Sequence, residues 1–243
     1  RLQPLGLLAD ADGVVLNLRR FRLPRPAVRA PHATRAPAAP VIGVLGTSMN
    51  AGKTTTAASL IHGLAQAGLR VGAAKLTGTG AFGDTQLMTD AGADEVVDFV
   101  DAGFATTFRA PLDEIEDASA WLIDALVERD VDVIVVEIAD GLLQKETAAL
   151  LQSATFAQRL SGVVFASGDA LGAVAGVEWL ERRGLRVLAL SGLLTAAPLA
   201  AREAEDATHL PVYDRARLLD PTASIELYRA AAYEAACAAQ VRG

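Results

Sequence analysis

The chain has 243 residues, and 51% of them are hydrophobic, so it can form one large or two small domains with a substantial core. The formal net charge of −7 provides no electrostatic footprint for nucleic acid or an anionic membrane. The single cysteine, Cys237, excludes an internal disulfide, and the three histidines lack metal-ligand spacing. Because no apolar run approaches the roughly 18 residues of a membrane span and no signal peptide is visible, we expect a cytoplasmic protein.

The N-terminal 20 residues predict a short β-hairpin, with strands at 5–8 and 14–18. A lone hairpin is marginally stable in water, so it should pack on the main domain or belong to a preceding one. Residues 21–40 are rich in proline, arginine and alanine, which is typical of a linker. We expect residues 41–243 to form a single domain.

Beyond residue 40, short apolar runs alternate with helical segments. This alternation predicts an α/β fold with a doubly wound, mostly parallel sheet covered on both faces. Strands are predicted at 41–45, 70–74, 131–136, 162–166 and 185–190, and helices at 53–67, 85–91, 112–128, 146–154, 170–183, 198–207 and 224–241.

A glycine-punctuated turn, Gly46-Thr47-Ser48-Met49-Asn50-Ala51-Gly52-Lys53-Thr54, joins the first strand to the first helix. The strict P-loop pattern has glycine where Thr47 stands, but a strand before the turn and a helix after it are the context of a phosphate site. Lys53 would reach the outer phosphates, and the Thr54 hydroxyl would hold Mg²⁺. The predicted nucleotide-binding residues are Gly46, Thr47, Asn50, Ala51, Gly52, Lys53, Thr54, Thr55 and Ser191, the last at a strand end where nucleotide bases are often bound.

The loop after the second predicted strand carries three glycines, one lysine and one aspartate. Lys75 follows the apolar strand directly, where its ammonium could meet phosphate or a carboxylate substrate. Asp84 is either a Mg²⁺ ligand or the N-cap of the next helix, since aspartate is favoured in both roles.

The third long strand ends in a carboxylate, Glu137, after four apolar positions. A carboxylate there is costly unless it is paired or binds a metal, so Glu137 is predicted to be a Mg²⁺ ligand or a base. Asp140 is a turn residue or a substrate ligand. Asp169 is predicted to cap the helix that begins at Ala170, and Tyr213 could line the base pocket.

In order along the chain, these motifs resemble those of dethiobiotin synthetase and related P-loop amidoligases such as cobyrinic acid a,c-diamide synthase. The resemblance covers residues 41–215 and implies a P-loop NTPase fold and an ATP-dependent ligase or kinase that uses Mg²⁺ and acts on a small carboxylate-bearing substrate. It also implies a homodimer, because those enzymes complete their sites across a two-fold interface. By this resemblance the catalytic residues are Lys53, Lys75 and Glu137, the metal ligands are Thr54, Asp84 and Glu137, and the substrate contacts are Lys75, Thr77, Gly78 and Asp140.

Two other hypotheses remain open on the motifs alone. The Gly-Thr…Gly-Lys loop, the segment 77–80 and the Val136-Glu137 strand end are also similar to those of the D-glutamate N-acetyltransferase P-loop family, which implies acyl transfer from acetyl-coenzyme A. P-loops also drive switches in which nucleotide hydrolysis reorders loops for a protein partner. No nucleic-acid or membrane partner is expected in any of these cases.

Overall fold

The computed structural model describes residues 3–24 and 39–242. Most of the predicted linker, residues 25–38, lies outside the described residues. Within the described ranges, no helix is both long and apolar enough to span a membrane.

Six strands form one sheet in which every pair of neighbours is parallel, in the order β3-β2-β4-β1-β5-β6. This arrangement confirms the predicted fold class. The strands are β1 (Val41–Gly46), β2 (Val71–Thr77), β3 (Glu95–Asp98), β4 (Val133–Ile138), β5 (Gly162–Ala166) and β6 (Val187–Ser191).

Helices connect the strands and cover the sheet. They are α1 (Lys53–Gln66), α2 (Phe82–Asp90), α3 (Leu112–Val127), α4 (Lys145–Gln152), α5 (Ala154–Ala157), α6 (Ala170–Glu181), α7 (Pro198–Thr208), α8 (Arg215–Leu219) and α9 (Pro221–Arg242).

The core lies on both faces of the sheet, because alternate side chains of each strand point to opposite sides. In β1, Ile42 and Val44 belong to one buried cluster, together with side chains of α1 and α9. Val41 and Leu45 belong to the other, together with side chains of α3 and α6. All six residues of β1 are buried, which explains its unbroken apolar sequence.

Several features of residues 41–242 differ from the predicted elements. Strand β3 was not predicted, because it has four residues and only Val97 among them is buried. The one-turn helix α8 was not predicted either. The helix predicted at 146–154 is divided into α4 and α5 at Ser153, whose side chain accepts a hydrogen bond from the Phe156 N–H and so starts a new helix.

The N-terminal segment forms one isolated antiparallel bridge, between Ala9 and Val15, instead of the two predicted strands. Its apolar side chains remain exposed, so no buried face extends the pairing. The segment contacts the domain at its far end. There the Leu23 N–H donates to the Asp101 carbonyl (2.9 Å), and Arg19 forms an ion pair with Glu114.

Candidate nucleotide-binding site

The turn between β1 and α1 is shaped by residues with unusual backbone angles. Gly52, directly before α1, has φ of 103°, and Asn50 has φ of 64°. Glycine adopts this left-handed conformation without steric cost, and asparagine tolerates it better than most residues. Gly46 at the end of β1 is needed for a different reason: a methyl group there would lie 2.8 Å from Cγ of Lys53. Position 46 therefore gives the Lys53 side chain room to lie over the turn.

Neighbouring strand ends hold this turn closely. The Leu193 N–H, after β6, donates to the Ala51 carbonyl (3.0 Å). A methyl group on Gly192 would lie 2.3 Å from the same oxygen, and one on Gly141, after β4, would lie 2.6 Å from the Thr47 carbonyl. Gly141 and Gly192 thus belong to the site although they were not among the predicted site residues. The signal that could have identified them is a glycine within three residues of a strand end at the carboxyl edge of the sheet.

Lys53 is buried, and its ammonium Nζ donates to the carbonyl of Ser48 in its own loop (2.8 Å). Burial lowers the pKa of Lys53, and the nearby carboxylates of Glu137 and Asp140 partly oppose this shift. The ammonium therefore lies inside the turn, where it is available to a phosphate that would replace the Ser48 carbonyl as its partner.

Thr54 and Glu137, both predicted to be metal ligands, are in direct contact, since the Thr54 hydroxyl donates to Oε1 of Glu137 (2.9 Å). Their role in binding a metal stays a prediction. Glu137 is only 1% exposed, and its second oxygen, Oε2, is buried with no hydrogen-bond partner among the described residues. Burial raises the pKa of Glu137, against the opposing effects of Lys75 and of the Thr54 hydrogen bond. Burying a carboxylate with an unpaired oxygen costs free energy unless a cation binds that oxygen.

These two side chains fit a magnesium site. Within residues 3–24 and 39–242, no three His, Cys, Asp or Glu side chains cluster as metal ligands. Mg²⁺ in nucleotide sites does not need such a cluster, because it retains several waters and binds one or two protein oxygens together with phosphate oxygens. The Thr54 hydroxyl and the Glu137 carboxylate are the oxygens that this chain would supply.

Lys75 lies beside Glu137 in the sheet and also reaches α2. Its Nζ forms an ion pair with Asp84 and lies 3.9 Å from Oε1 of Glu137. The alternative in which Asp84 caps the following helix is wrong, because α2 begins at Phe82 and its N-cap is Ala81. Asp84 lies instead in the first turn of that helix. Its role as a Mg²⁺ ligand stays a prediction.

Thr77 and Gly78, predicted to contact substrate, connect neighbouring loops of the protein. The Thr77 hydroxyl is buried and donates to the Ala139 carbonyl (2.5 Å), which also accepts from the Thr147 hydroxyl (2.6 Å). The Gly78 N–H donates to the Thr107 hydroxyl (2.9 Å). These bonds join the connections after β2, β3 and β4. Asp140 follows Ala139 through a cis peptide bond and is partly exposed.

The remaining predicted residues lie on α1, at the ends of β5 and β6, or in the loop before α8. Ser191 is buried, and its hydroxyl accepts from the Thr56 hydroxyl of α1 (3.2 Å), whereas Thr55 is exposed on α1. Tyr213 is buried and its hydroxyl donates to Glu226 of α9 (3.2 Å), so it packs within the domain. The capping role of Asp169 is confirmed, because its carboxylate accepts from the Gly172 N–H (2.7 Å).

Comparison with known proteins shows the fold. No family model matches the chain, and no curated protein matches it. Among solved structures it is similar to the signal recognition particle receptor FtsY from Elizabethkingia anophelis, with a TM-score of 0.51 and 20% identity over 82% of this chain and 67% of that one. It is also similar to the signal recognition particle 54 kDa protein from Aeropyrum pernix K1 in complex with GDP, with a TM-score of 0.52 and 18% identity. That alignment covers 83% of this chain and half of the other.

These similarities show the fold, an α/β domain with a six-stranded parallel sheet like that of the two signal recognition particle proteins, and they correct the predicted enzyme class. The two similar structures are signal recognition particle proteins and not ATP-dependent ligases or kinases of small molecules. The prediction of such an enzyme is therefore wrong, and the resemblance to dethiobiotin synthetase receives no support. The nucleotide in the second structure is GDP, so a specific requirement for ATP is not supported either.

Proposed function

We propose that this chain binds a nucleotide with magnesium and acts as a nucleotide-driven switch on a protein partner. The observation that carries the proposal is the hydrogen bond from the Thr54 hydroxyl to Glu137, a buried carboxylate whose other oxygen is unpaired among the described residues. The Thr54 hydroxyl and the Glu137 carboxylate would hold Mg²⁺, which when bound would neutralise charge on the phosphates.

The contacts at the site support a switch because a nucleotide would have to replace them. Lys53 is bonded to Ser48 of its own loop, and Thr54 is bonded to Glu137. A phosphate would accept hydrogen bonds from the Lys53 ammonium in place of Ser48, and a metal would bind the Thr54 hydroxyl in place of its hydrogen bond to Glu137. The free and bound proteins would then differ in specific contacts, which is what a ligand needs in order to shift a conformational equilibrium.

Exposed apolar side chains at the carboxyl edge of the sheet support a protein partner. Six large apolar side chains, each between 56% and 81% exposed, lie in the loops or first helical turns that follow the six strands. An exposed apolar patch is typical of a protein–protein interaction site, so we infer that these side chains, which share one edge of the sheet, would contact the partner. The six side chains are Met49, Phe82, Phe108, Leu143, Leu171 and Leu193.

Calorimetric titration with GTP, GDP, ATP, ADP and acetyl-coenzyme A, each with and without Mg²⁺, tests the proposal. The GDP in the similar signal recognition particle structure makes the guanine nucleotides the first to try. We expect magnesium-dependent triphosphate binding and slow hydrolysis without any added metabolite. Binding of acetyl-coenzyme A without nucleotide binding would overturn the proposal in favour of acyl transfer.

Two variants make the titration specific to the turn. Lys53→Ala should lower triphosphate affinity by about 100-fold or more, which corresponds to roughly 2.7 kcal/mol. Lys145→Ala removes an exposed lysine at the start of α4 and is the matched control, for which we expect wild-type affinity. Equal affinity in the Lys53→Ala and wild-type proteins would show that the nucleotide does not use this turn.

A further inference from the structure

A series of polar contacts leads from the nucleotide turn to helix α2. We propose that Lys75 is a positioning residue that senses the outer phosphate of the bound nucleotide and, by leaving Asp84, releases the first turn of α2. This inference rests on the proposed function and identifies the element through which the switch would act.

The contacts form a continuous path across two adjacent strands. Oε1 of Glu137 accepts from the Thr54 hydroxyl (2.9 Å) and lies 3.9 Å from Nζ of Lys75. Lys75 and Glu137 are register partners on β2 and β4, so the sheet itself fixes their separation. On the other side, the Lys75 ammonium pairs with Asp84 of α2. The hydroxyl expected to bind the metal and the ammonium that holds α2 therefore approach the same carboxylate oxygen.

The charges around Lys75 determine which partner it can exchange. Besides Glu137 and Asp84, the carboxylate of Asp98 faces it from β3, where Asp98 is its register partner. Asp98 already accepts a hydrogen bond from the Val100 N–H (2.7 Å). Glu137 is fixed by its strand and by Thr54. Of the two carboxylates paired with Lys75, Asp84 is the more exposed, and it belongs to a short helix. Breaking the ion pair with Asp84 therefore costs less free energy than breaking the one with Glu137.

A triphosphate brings net negative charge to this site even with Mg²⁺ bound, and it competes with Asp84 for the Lys75 ammonium. A diphosphate lacks the outermost phosphate and competes less. The exchange would thus distinguish the two nucleotide states by charge, before any partner is present.

Helix α2 makes few buried contacts with the rest of the domain. Loss of one ion pair can therefore release it. Of its nine residues only Met88 is buried, and Phe82 in its first turn is largely exposed. The N-cap is Ala81, which has no side-chain group to cap the helix. Loss of the ion pair between Lys75 and Asp84 would leave the first turn with little to hold it, and it would also free Phe82, one of the six exposed apolar side chains, to move.

Amide hydrogen exchange of the full chain tests this inference. The protein is measured free, with GDP and Mg²⁺, and with GTPγS and Mg²⁺, and in parallel with ADP and ATPγS. We expect exchange of residues 82–90 to rise by about threefold or more with the triphosphate analogue compared with the diphosphate. Residues 46–56 should be protected by both nucleotides.

Two variants separate the ion pair from general effects on the helix. Asp84→Asn should raise exchange of residues 82–90 in the free protein and remove its response to GTPγS. Asp90→Asn, at the other end of the same helix, changes a side chain whose carboxylate accepts from Gln86 (2.8 Å), and it should keep the wild-type response.

Exchange at residues 46–56 and at residues 82–90 distinguishes failure of the inference from failure of the proposed function. Absence of protection at residues 46–56 would overturn nucleotide binding and with it the inference. Protection there, with unchanged or lower exchange at 82–90 in the triphosphate state, would overturn only the role of Lys75. A decrease at 82–90 would indicate that Asp84 joins the metal site instead of being released.

Discussion

Gly52 and Gly192 face each other so closely that a methyl group on Gly52 would lie 2.9 Å from Cα of Gly192. One glycine ends the nucleotide turn and the other follows β6, so the contact joins two parts of the chain that are distant in sequence. Close backbone packing of this kind positions the N–H groups of a turn rigidly, which a phosphate site needs. The contact therefore links the stability of the fold to the geometry of the site.

Gly192→Ala should destabilise the protein and weaken nucleotide binding. Gly192 has φ of 93° and ψ of −159°, a conformation that costs other residues roughly 1–3 kcal/mol, and the added methyl would also clash with the Ala51 carbonyl. Gly68→Ala is the matched control: Gly68 has φ of 84°, but no described atom lies within 4 Å of an added methyl. Urea unfolding and calorimetry of both variants measure the two effects. Equal losses of unfolding free energy, with unchanged affinity, would show that the clash is relieved without consequence.

Two helical glycines should respond to alanine with opposite signs. A methyl on Gly63 of α1 would lie 2.2 Å from the Leu218 carbonyl, and such overpacking costs about 1–3 kcal/mol. Gly83 of α2 is exposed with open space around it among the described residues, so alanine should stabilise the protein by about 0.5–1 kcal/mol. The free energy of unfolding in urea gives both signs. A stabilised Gly63→Ala variant would mean that α1 does not contact α8 as closely as described.

The turn before α1 could be predicted from the sequence because its signals are local. An apolar strand, the Gly52-Lys53-Thr54 sequence and a helix follow one another directly between Val41 and Gln66. Strand β5 was predicted with the observed bounds, 162–166, for a similar reason: its continuous apolar run stands between a serine and a serine-glycine pair. The edge strand β3 carries no comparable apolar run, and only the pairing with β2 identifies it.

Contacts between distant segments could not be predicted in this way. The approach of Gly192 to Ala51 depends on the order of β5 and β6 in the sheet, which no local pattern specifies. The ion pair between Lys75 and Asp84 depends on the path of the glycine-containing loop between them, since the two residues were predicted to bind substrate and metal separately. Sequence patterns thus indicated which residues carry charge at the site, and packing decided which of them meet.

Thr54→Val should remove the effect of magnesium on nucleotide affinity while leaving magnesium-free binding unchanged. Valine keeps the branched shape of threonine but lacks the hydroxyl that contacts Glu137 and is expected to bind the metal. We expect the gain in affinity on adding Mg²⁺ to fall by about tenfold or more. Thr222→Val, an exposed position in α9, serves as the control. A full magnesium effect in Thr54→Val would remove this hydroxyl from the proposed metal site.

Glu137→Gln should stabilise the free protein at neutral pH even though it impairs the site. Burial raises the pKa of Glu137 above its value in the unfolded chain, so the folded state binds the proton more readily. Between the unfolded and the folded pKa, the free energy of unfolding of the wild type therefore falls as the pH rises. Glutamine does not titrate, so the variant avoids this loss, and its advantage should shrink as the pH falls through the folded pKa.

Thermal unfolding of wild type, Glu137→Gln and the exposed control Glu181→Gln across this pH range measures the advantage. Adding nucleotide and Mg²⁺ should then reverse the order, because ligand binding stabilises only a protein that binds the ligand. This reversal would mark Glu137 as a residue retained for binding at a cost to stability. If Glu137→Gln were instead less stable at every pH, attraction to Lys75 would outweigh the cost of burial, and the carboxylate would be a structural ion-pair partner in the sheet.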